Sequence, residues 1–447
     1  MNANLFWRGI TPLTYALRGN RGYTYLMEMA ARRAWTREQW EALQLEKLRA
    51  LLQHCQAEVP YYRDLFREVG FEAREVQSVR DLEVLPVLTK DIVKVHGGRM
   101  IADNMRSRLR VHHTGGSTGV PLSFYRHREC EELGFAGVLR NFQGCGWTVG
   151  EPIAEFWGFQ DSLNDMSRTK VLAKSMFSRF YHFNAFDLSE ANSRVWLASL
   201  RRIRPTVISG YASTIYLFAR HLKDAGVSLT GVKGIFTTAE PLFDFQRECI
   251  EEVCGAKLYN AYGSTEVLDV ACECRCGSIH QRLDAAVVEF DASRVDTGYE
   301  MIQTSLNNYA MPYIRYRNED LAEAVDGMCE CGDSTPLMSA PSGRTFGNMT
   351  TPSGRVVHGQ FFVKLLYDLC GVHQFQFHQT GTHEMVLRIV KSEAFEHTTT
   401  EHIDRAMERT REILGGDMDV RLEYMTEIPV TSRGKFLYTK NDTLEIS

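Results

Sequence analysis

The chain has 447 residues, 44% hydrophobic and 24% charged, the balance of a folded globular protein too long for one core, so two or three domains are expected. Lys and Arg number 51 against 56 Asp and Glu, a formal net charge of −5, which argues against a nucleic-acid binder driven by a basic surface. No apolar run reaches membrane-spanning length, and the arginine-interrupted N-terminus "MNANLFWRGITPLTYALRGNRG" lacks a signal-peptide core, so a cytoplasmic chain with no membrane span is expected.

That N-terminal stretch is amphipathic, which suits an interfacial anchor, and a packing segment is the preferred reading. Residues 36 to 57, "TREQWEALQLEKLRALLQHCQA", predict a helix. Thr36 and Gln39 make a capping-box pattern, and Trp40, Leu43, Leu48, Leu51, Leu52 and Cys55 share one face. Further on, "HHTGGSTGVP" (112 to 121) sits between the strand-like runs "RLRV" and "LSFYR". Its glycines permit close approach to the backbone, and its hydroxyls and N–H groups make a donor-rich nest suited to phosphate. No Gly-Lys-Ser/Thr follows, so it is not a P-loop. An ordinary hairpin turn is the plain alternative. His112 and His113 beside it read as packing residues.

From residue 189 helical and strand-like stretches alternate. "SEANSRVWLASLRRI", "STIYLFARHLKDAG" and "LFDFQRECIEEVCG" are helical, while "PTVISG", "VKGIFTTAE" and "KLYNAYG" are strand-like. This predicts βαβ units and a mainly parallel sheet. Ligands in such sheets gather beyond the carboxyl ends of the strands, here Ser209-Gly210-Tyr211, Thr238-Ala239-Glu240 and Tyr262-Gly263-Ser264-Thr265-Glu266. Between 285 and 325 the period becomes two, predicting antiparallel strands in a small barrel-like part. The turn-rich stretch 339 to 354 predicts a domain boundary near Gly343-Arg344. A small α+β module then ends in "TSRGKFLYTKND".

Of the 11 cysteines, five lie in "CECRC" (272 to 276) and "CEC" (329 to 331). Clustering of this kind points to metal rather than to a disulfide framework. Cys274, Cys329 and Cys331 with His280 make a closed shell for structural zinc. Cys272 and Cys276 are spare thiols that could replace His280.

Taken together, "TGGSTGVP", "NAYGSTEV", "IRYRNEDLAEAVDG" and "SRGKF" resemble, in order and spacing, the motifs of adenylate-forming acyl ligases. The stretch "AEVPYYRDLFREVGF" and "VRDLEVLPVLTKDIV" is similar to the branch of phenylacetate–CoA ligases and CapK proteins. The resemblance implies an α/β fold with a large domain, 1–343, of mainly parallel sheets and a small β-barrel-like part, and a small mobile α+β domain, 344–447.

It also implies roles. Thr114, Gly115, Gly116, Ser117, Thr118 and Gly119 would hold the ATP phosphates and Glu266 the Mg²⁺, with Thr265 beside it among the catalytic residues. Tyr262 would stack on adenine, the backbone of Ala239, Glu240 and Pro241 would line the base, and Asn260, Gly263 and Ser264 would complete that wall. Asp320 would take the ribose hydroxyls with Arg317 nearby, Arg344 would lie at the hinge, and Lys435 would reach the reacting carboxylate and α-phosphate. Phe156, Trp157 and Phe159, with Tyr211, would line the pocket of an aromatic or flat apolar acid. Coenzyme A is the implied acceptor, and a homodimer is possible. The chain departs from the family at Gly115, where serine is frequent, at Asn318-Glu319, where threonine-glycine is common, and after Arg344, where "TFGNM" follows. Two alternatives stay open: amide or ester formation without coenzyme A, and a non-enzymatic zinc-containing binding module.

Overall fold

The structure is a computed structural model that describes residues 3–113, 123–157, 175–185, 190–295, 298–341, 349–353, 356–357, 359–366, 369, 371–415, 418–430 and 436–445. Chain contacts divide it into two units, Met1–Leu242 with Cys249–Ser342, and Phe243–Glu248 with Gly343–Ser447. The grouping of Phe243–Glu248 with the second unit is not foreseen from the sequence. Gly343 and Arg344, where a boundary is expected, lie outside the described residues.

In the first unit, helix Arg37–Glu58 begins as its capping box predicts, with Thr36 accepting from the Gln39 N–H. Its apolar face buries Leu48, Leu51, Leu52 and Cys55 against Tyr62, Phe66, Phe124, Tyr313 and Tyr316. Strands β1 (Arg110–His113) and β2 (Ser123–Arg126) form an antiparallel pair with His113 opposite Ser123. Strands β3 (Ile153–Trp157), β4 (Phe180–Asn184), β5 (Val207–Tyr211), β6 (Gly234–Thr238) and β7 (Leu258–Tyr262) run parallel in the order β4-β3-β5-β6-β7. Every residue of β5 is buried, as a central parallel strand covered on both faces requires.

Past β7 the sheet reverses. Strands β8 (Ala271–Glu273) and β9 (Ile279–Gln281) continue it antiparallel. The antiparallel strands expected after 285 are β10 (Ala286–Val295), β11 (Gly298–Ser305) and β12 (Tyr316–Ala322), a three-stranded sheet. Strands β13 (Ala324–Val325) and β14 (Leu337–Met338) return to the large sheet, which counts nine strands among the described residues.

The second unit has the expected sequence of helix, two strands, helix and strand. Two short strands, β15 (Met349–Thr350) and β16 (Val356–Val357), precede helix Gly359–Lys364. Then come β17 (Val372–Gly381), β18 (Glu384–Lys391), helix His397–Leu414, β19 (Asp419–Met425) and β20 (Thr439–Asn441), in a sheet ordered β19-β18-β17-β20. Phe362, Phe377, Leu387, Ile389 and Ile403 form its core.

One buried ionic knot positions the loop after β7. Arg140, on helix Arg128–Gly144, donates to Asp269 Oδ2 at 2.7 Å and to both oxygens of Asp284 at 3.0 and 2.8 Å. Asn141 donates to Asp269 Oδ1 at 3.1 Å. A Cβ at position 137 would lie 2.0 Å from Asp269 Oδ2, so Gly137 leaves room for the acid on the same helix face. The side chains of Arg140, Asp269 and Asp284 are 10%, 5% and 2% exposed. Burial opposes the Asp284 carboxylate, and Arg140 and Lys47 outweigh it, holding its pKa below the usual value. Its contribution to stability is therefore full above the unfolded pKa of about 3.9 and is lost as pH falls through the lower folded value. Arg140→Met would strand both carboxylates, and urea unfolding at neutral pH should show a loss of about 3–5 kcal/mol. A loss under about 1 kcal/mol, the scale of an exposed pair, would rule out this role.

Candidate functional site

The parallel strands deliver their last residues to one rim. Trp157 ends β3 and Tyr211 ends β5, and their rings stack with centroids 4.4 Å apart at 29°. Phe156, expected to line the same pocket, is a core residue instead. It is fully buried among Phe183, Trp196 and Phe218, because successive side chains of a strand face opposite ways. Phe159 lies outside the described residues. Beyond β6, Ala239 holds a left-handed φ of 67°. The Glu240 Oε2 atom accepts from the Ser213 N–H at 2.8 Å, where helix Ala212–Asp224 begins and an acid is favoured. Pro241 follows. The Asn260 N–H donates to Glu273 at 3.0 Å.

Tyr262, at the end of β7, is a hub. Its hydroxyl donates to Asp320 Oδ2 at 2.7 Å and accepts from Asn318 Nδ2 at 2.7 Å and Gln303 Nε2 at 3.0 Å. Asn318 also donates to Asp320 Oδ2 at 2.8 Å. Burial, and then the Asp320 charge, push the Tyr262 phenol far above its ordinary pKa, so it stays a neutral donor. A bulge brings Asp320 here. Glu300 pairs with Leu321 and Ile302 with Arg317, so Asn318, Glu319 and Asp320 stand opposite Met301 alone. Glu319 takes a left-handed φ of 68° at this kink, where glycine would be relaxed, and Lys90 Nζ holds its carboxylate at 2.5 Å. Arg317 is engaged by Asp291 at 2.5 Å and Glu300 at 3.1 Å.

Glu266 is 3% exposed and accepts from the Tyr316 hydroxyl at 3.1 Å. Its loop is braced locally: the Ser264 N–H donates to Val267 O and the Val267 N–H to Ser264 Oγ, both at 2.9 Å. Gly263 is packed so closely that an added Cβ would sit 2.9 Å from the Asp269 N. Arg126, which the sequence reading passes over, is 7% exposed and donates to the Thr265 carbonyl. Its only signal in sequence is its place at the end of the strand after the glycine-rich turn. His112 is a packing residue, stacked on Phe124 and bonded to Glu131 at 2.9 Å. The side chain of His113 lies outside the described residues.

A second cluster lies at the far side of the large sheet. Cys274 follows β8, His280 is in β9, and Cys329 and Cys331 occupy the turn between β13 and β14. Their ligand atoms all lie within 4.8 Å of one another, against the edge of about 3.8 Å that Zn–S bonds of about 2.3 Å imply. Each sulfur accepts a backbone N–H: Cys274 from Cys276 at 3.3 Å, Cys329 from Cys331 at 3.5 Å and Cys331 from Asp333 at 3.4 Å. His280 turns Nε2 to the Cys331 sulfur at 3.3 Å, with Nδ1 facing Thr335 Oγ1 at 3.3 Å. That is the outer support a metal-bound imidazole needs. Of the alternatives left open, Cys272 is buried in β8, and Cys276 is exposed beside Cys329 but outside the close group of four.

The structure thus brings Ala239, Glu240, Pro241, Asn260, Tyr262, Gly263, Ser264, Thr265, Glu266, Arg317 and Asp320 to neighbouring strand ends and turns of one unit. Thr114, Gly115, Gly116, Ser117, Thr118, Gly119, Arg344 and Lys435 lie outside the described residues.

Comparison with known proteins gives this arrangement a setting. Residues 349–442 match the family model of the CapK C-terminal domain. Protein CapK of Staphylococcus aureus is 22% identical over 298 residues, covering 63% of this chain and 62% of that protein. The phenylacetate–coenzyme A ligase of Thermus thermophilus is 24% identical over 327 residues, covering 69% of this chain and 71% of the ligase. The solved structure of 2-hydroxyisobutyryl-CoA ligase in the postadenylation state, in complex with 2-HIB-AMP, has the same fold. Its TM-score is 0.72 at 20% identity, over 92% of this chain and 91% of that one. Residues 349–442 thus match the CapK C-terminal domain family, and the chain as a whole is similar to CapK and the phenylacetate–coenzyme A ligases and has the fold of an adenylate-forming acyl-CoA ligase.

Proposed function

We propose that this protein uses ATP to convert a carboxylic acid into an acyl adenylate and then transfers the acyl group to coenzyme A. The observation that carries the reading is the Tyr262–Asp320–Asn318 hydrogen-bond set at the carboxyl end of β7, with Glu266 four residues beyond. Several relatives are phenylacetate–coenzyme A ligases, which supports an acid and coenzyme A as substrates.

Adenylation joins two anions, so neutralising charge and aligning the carboxylate with the α-phosphorus are the main tasks. Tyr262 offers a ring face for adenine, with the backbone at Ala239 to Pro241 as the opposite wall. Asp320 Oδ2 already accepts from Tyr262 and Asn318, and the carboxylate would also take the ribose hydroxyls. The buried Glu266 carboxylate, an oxygen donor steadied by Tyr316, fits magnesium; Glu266 and Thr265 would hold the ion, which supplies positive charge to the phosphates when bound. Lys435 would bring a mobile point charge to the reacting oxygens, and Thr114 to Gly119 would cradle the phosphates. The Trp157–Tyr211 stack supports an aromatic or flat apolar acid.

The Cys274, His280, Cys329 and Cys331 set fits structural zinc, with no open position for chemistry. It would tie the turn after β8 to the sheet edge.

A pyrophosphate-release screen across aromatic and aliphatic carboxylic acids, with and without coenzyme A, tests the main reading. Acid-dependent release, with an acyl-CoA product only when the thiol is present, is expected. Release with no thioester formed would favour amide or ester synthesis, and no release with any acid would return the binding-module alternative. Lys435→Ala should cut acid-dependent release by about 10²-fold or more while ATP affinity changes only a few-fold; an unchanged rate would remove Lys435 from its role. Elemental analysis of purified protein should give one zinc per chain, and chelation should lower the thermal midpoint; metal-free protein of equal stability would dismiss the zinc site.

A further inference from the structure

The helix Ala3–Leu17 carries a face that the described residues leave uncovered. Thr11 on one side is buried, and Tyr15 packs its ring on Tyr23 and Phe135 at 5.1 and 5.5 Å. On the opposite side Phe6, Gly9, Leu13, Ala16 and Leu17 recur at three- and four-residue spacing, and all are exposed. Phe6, Leu13 and Leu17 are 49%, 56% and 78% exposed. The stripe continues past the helix: Trp7 contacts Phe6 and Phe177, and Phe177 and its neighbour Met176 are also exposed. An apolar stripe of this length is more than scattered surface leucines.

Its charge is as one-sided as its hydropathy. In a chain of net charge −5, the first 27 residues hold Arg8, Arg18 and Arg21 and no Asp, Glu or Lys. All three arginines are exposed. A fourth, Arg179, lies over the Trp7 ring at 5.1 Å. Aromatic and leucine side chains on one helix face, in a stretch whose only charged side chains are guanidinium groups, match the chemistry of an anionic lipid surface.

We propose that the exposed face of helix Ala3–Leu17, with Phe177 and Met176 beside it, docks the protein on an anionic membrane surface without crossing it. This goes beyond the ligase reading and does not depend on it. Apolar side chains would enter the headgroup boundary, and the arginines would meet the lipid phosphates.

Co-sedimentation of the full chain with vesicles tests it. Binding is expected to equimolar phosphatidylcholine and phosphatidylglycerol, at least about tenfold above that to phosphatidylcholine alone, and to weaken with salt. Leu13→Glu with Leu17→Glu, both exposed, should weaken binding about tenfold or more while the urea midpoint stays unchanged; Arg8→Ala with Arg18→Ala should do the same for the anionic vesicles. Full-chain protein that stays in the supernatant, or sediments equally well with either double variant, overturns the proposal. So does a dimer in sedimentation velocity that the leucine variant splits, because the face would then belong to a second copy.

Discussion

The site rests on a single buried guanidinium. Arg140 sits between Asp269 and Asp284, and the two acids belong to turns on either side of β8 and β9. A cation shared between them fixes the loop 263–269 against helix Arg128–Gly144 in one register, since neither carboxylate can leave without stranding the others. Gly137 and Gly263 are the empty spaces that let Asp269 approach so closely. Glu266, Thr265 and the ring of Tyr262 lie on and beside the loop that this clamp holds.

Much of this was legible from the sequence because the signals were local. The alternation from 189 to 262 marks β5, β6, β7 and their helices, and Thr36 and Gln39 mark the start of a long helix. Motif register singled out Tyr262, Glu266 and Asp320, which the fold sets at neighbouring strand ends and turns. What could not be read depends on distant partners. Strands β8, β9, β13 and β14 are two or three residues long and exist through pairing with one another, so no period announces them. Phe156 reads the same whether it faces a pocket or the core; only the strand's two faces, once in the sheet, separate it from Trp157. Arg126 is invisible in the same way, since its value comes from the carbonyl it meets in a loop more than a hundred residues later.

Backbone strain gathers around the same strand ends. Of the six non-glycine residues with positive φ among the described residues, Ala239, Asp269, Arg315 and Glu319 lie on these strand ends and turns. Each such residue costs on the order of 1–2 kcal/mol, and three are held by charged partners: Asp269 by Arg140, Glu319 by Lys90, Arg315 by Glu289. Strained residues tied down on several sides are a common mark of sites built for geometry rather than for stability.

The thiol and imidazole cluster closes the hairpin that carries β13, and β13 is only Ala324 and Val325. A nine-stranded sheet ordinarily offers a long row of bare N–H and carbonyl groups at its margin, an invitation to templated stacking by a neighbouring chain. Here the row is two residues long and ends in a knot of sulfur-capped turns. The protein gains a blunt border, and with it protection against edge-to-edge polymerisation on that side.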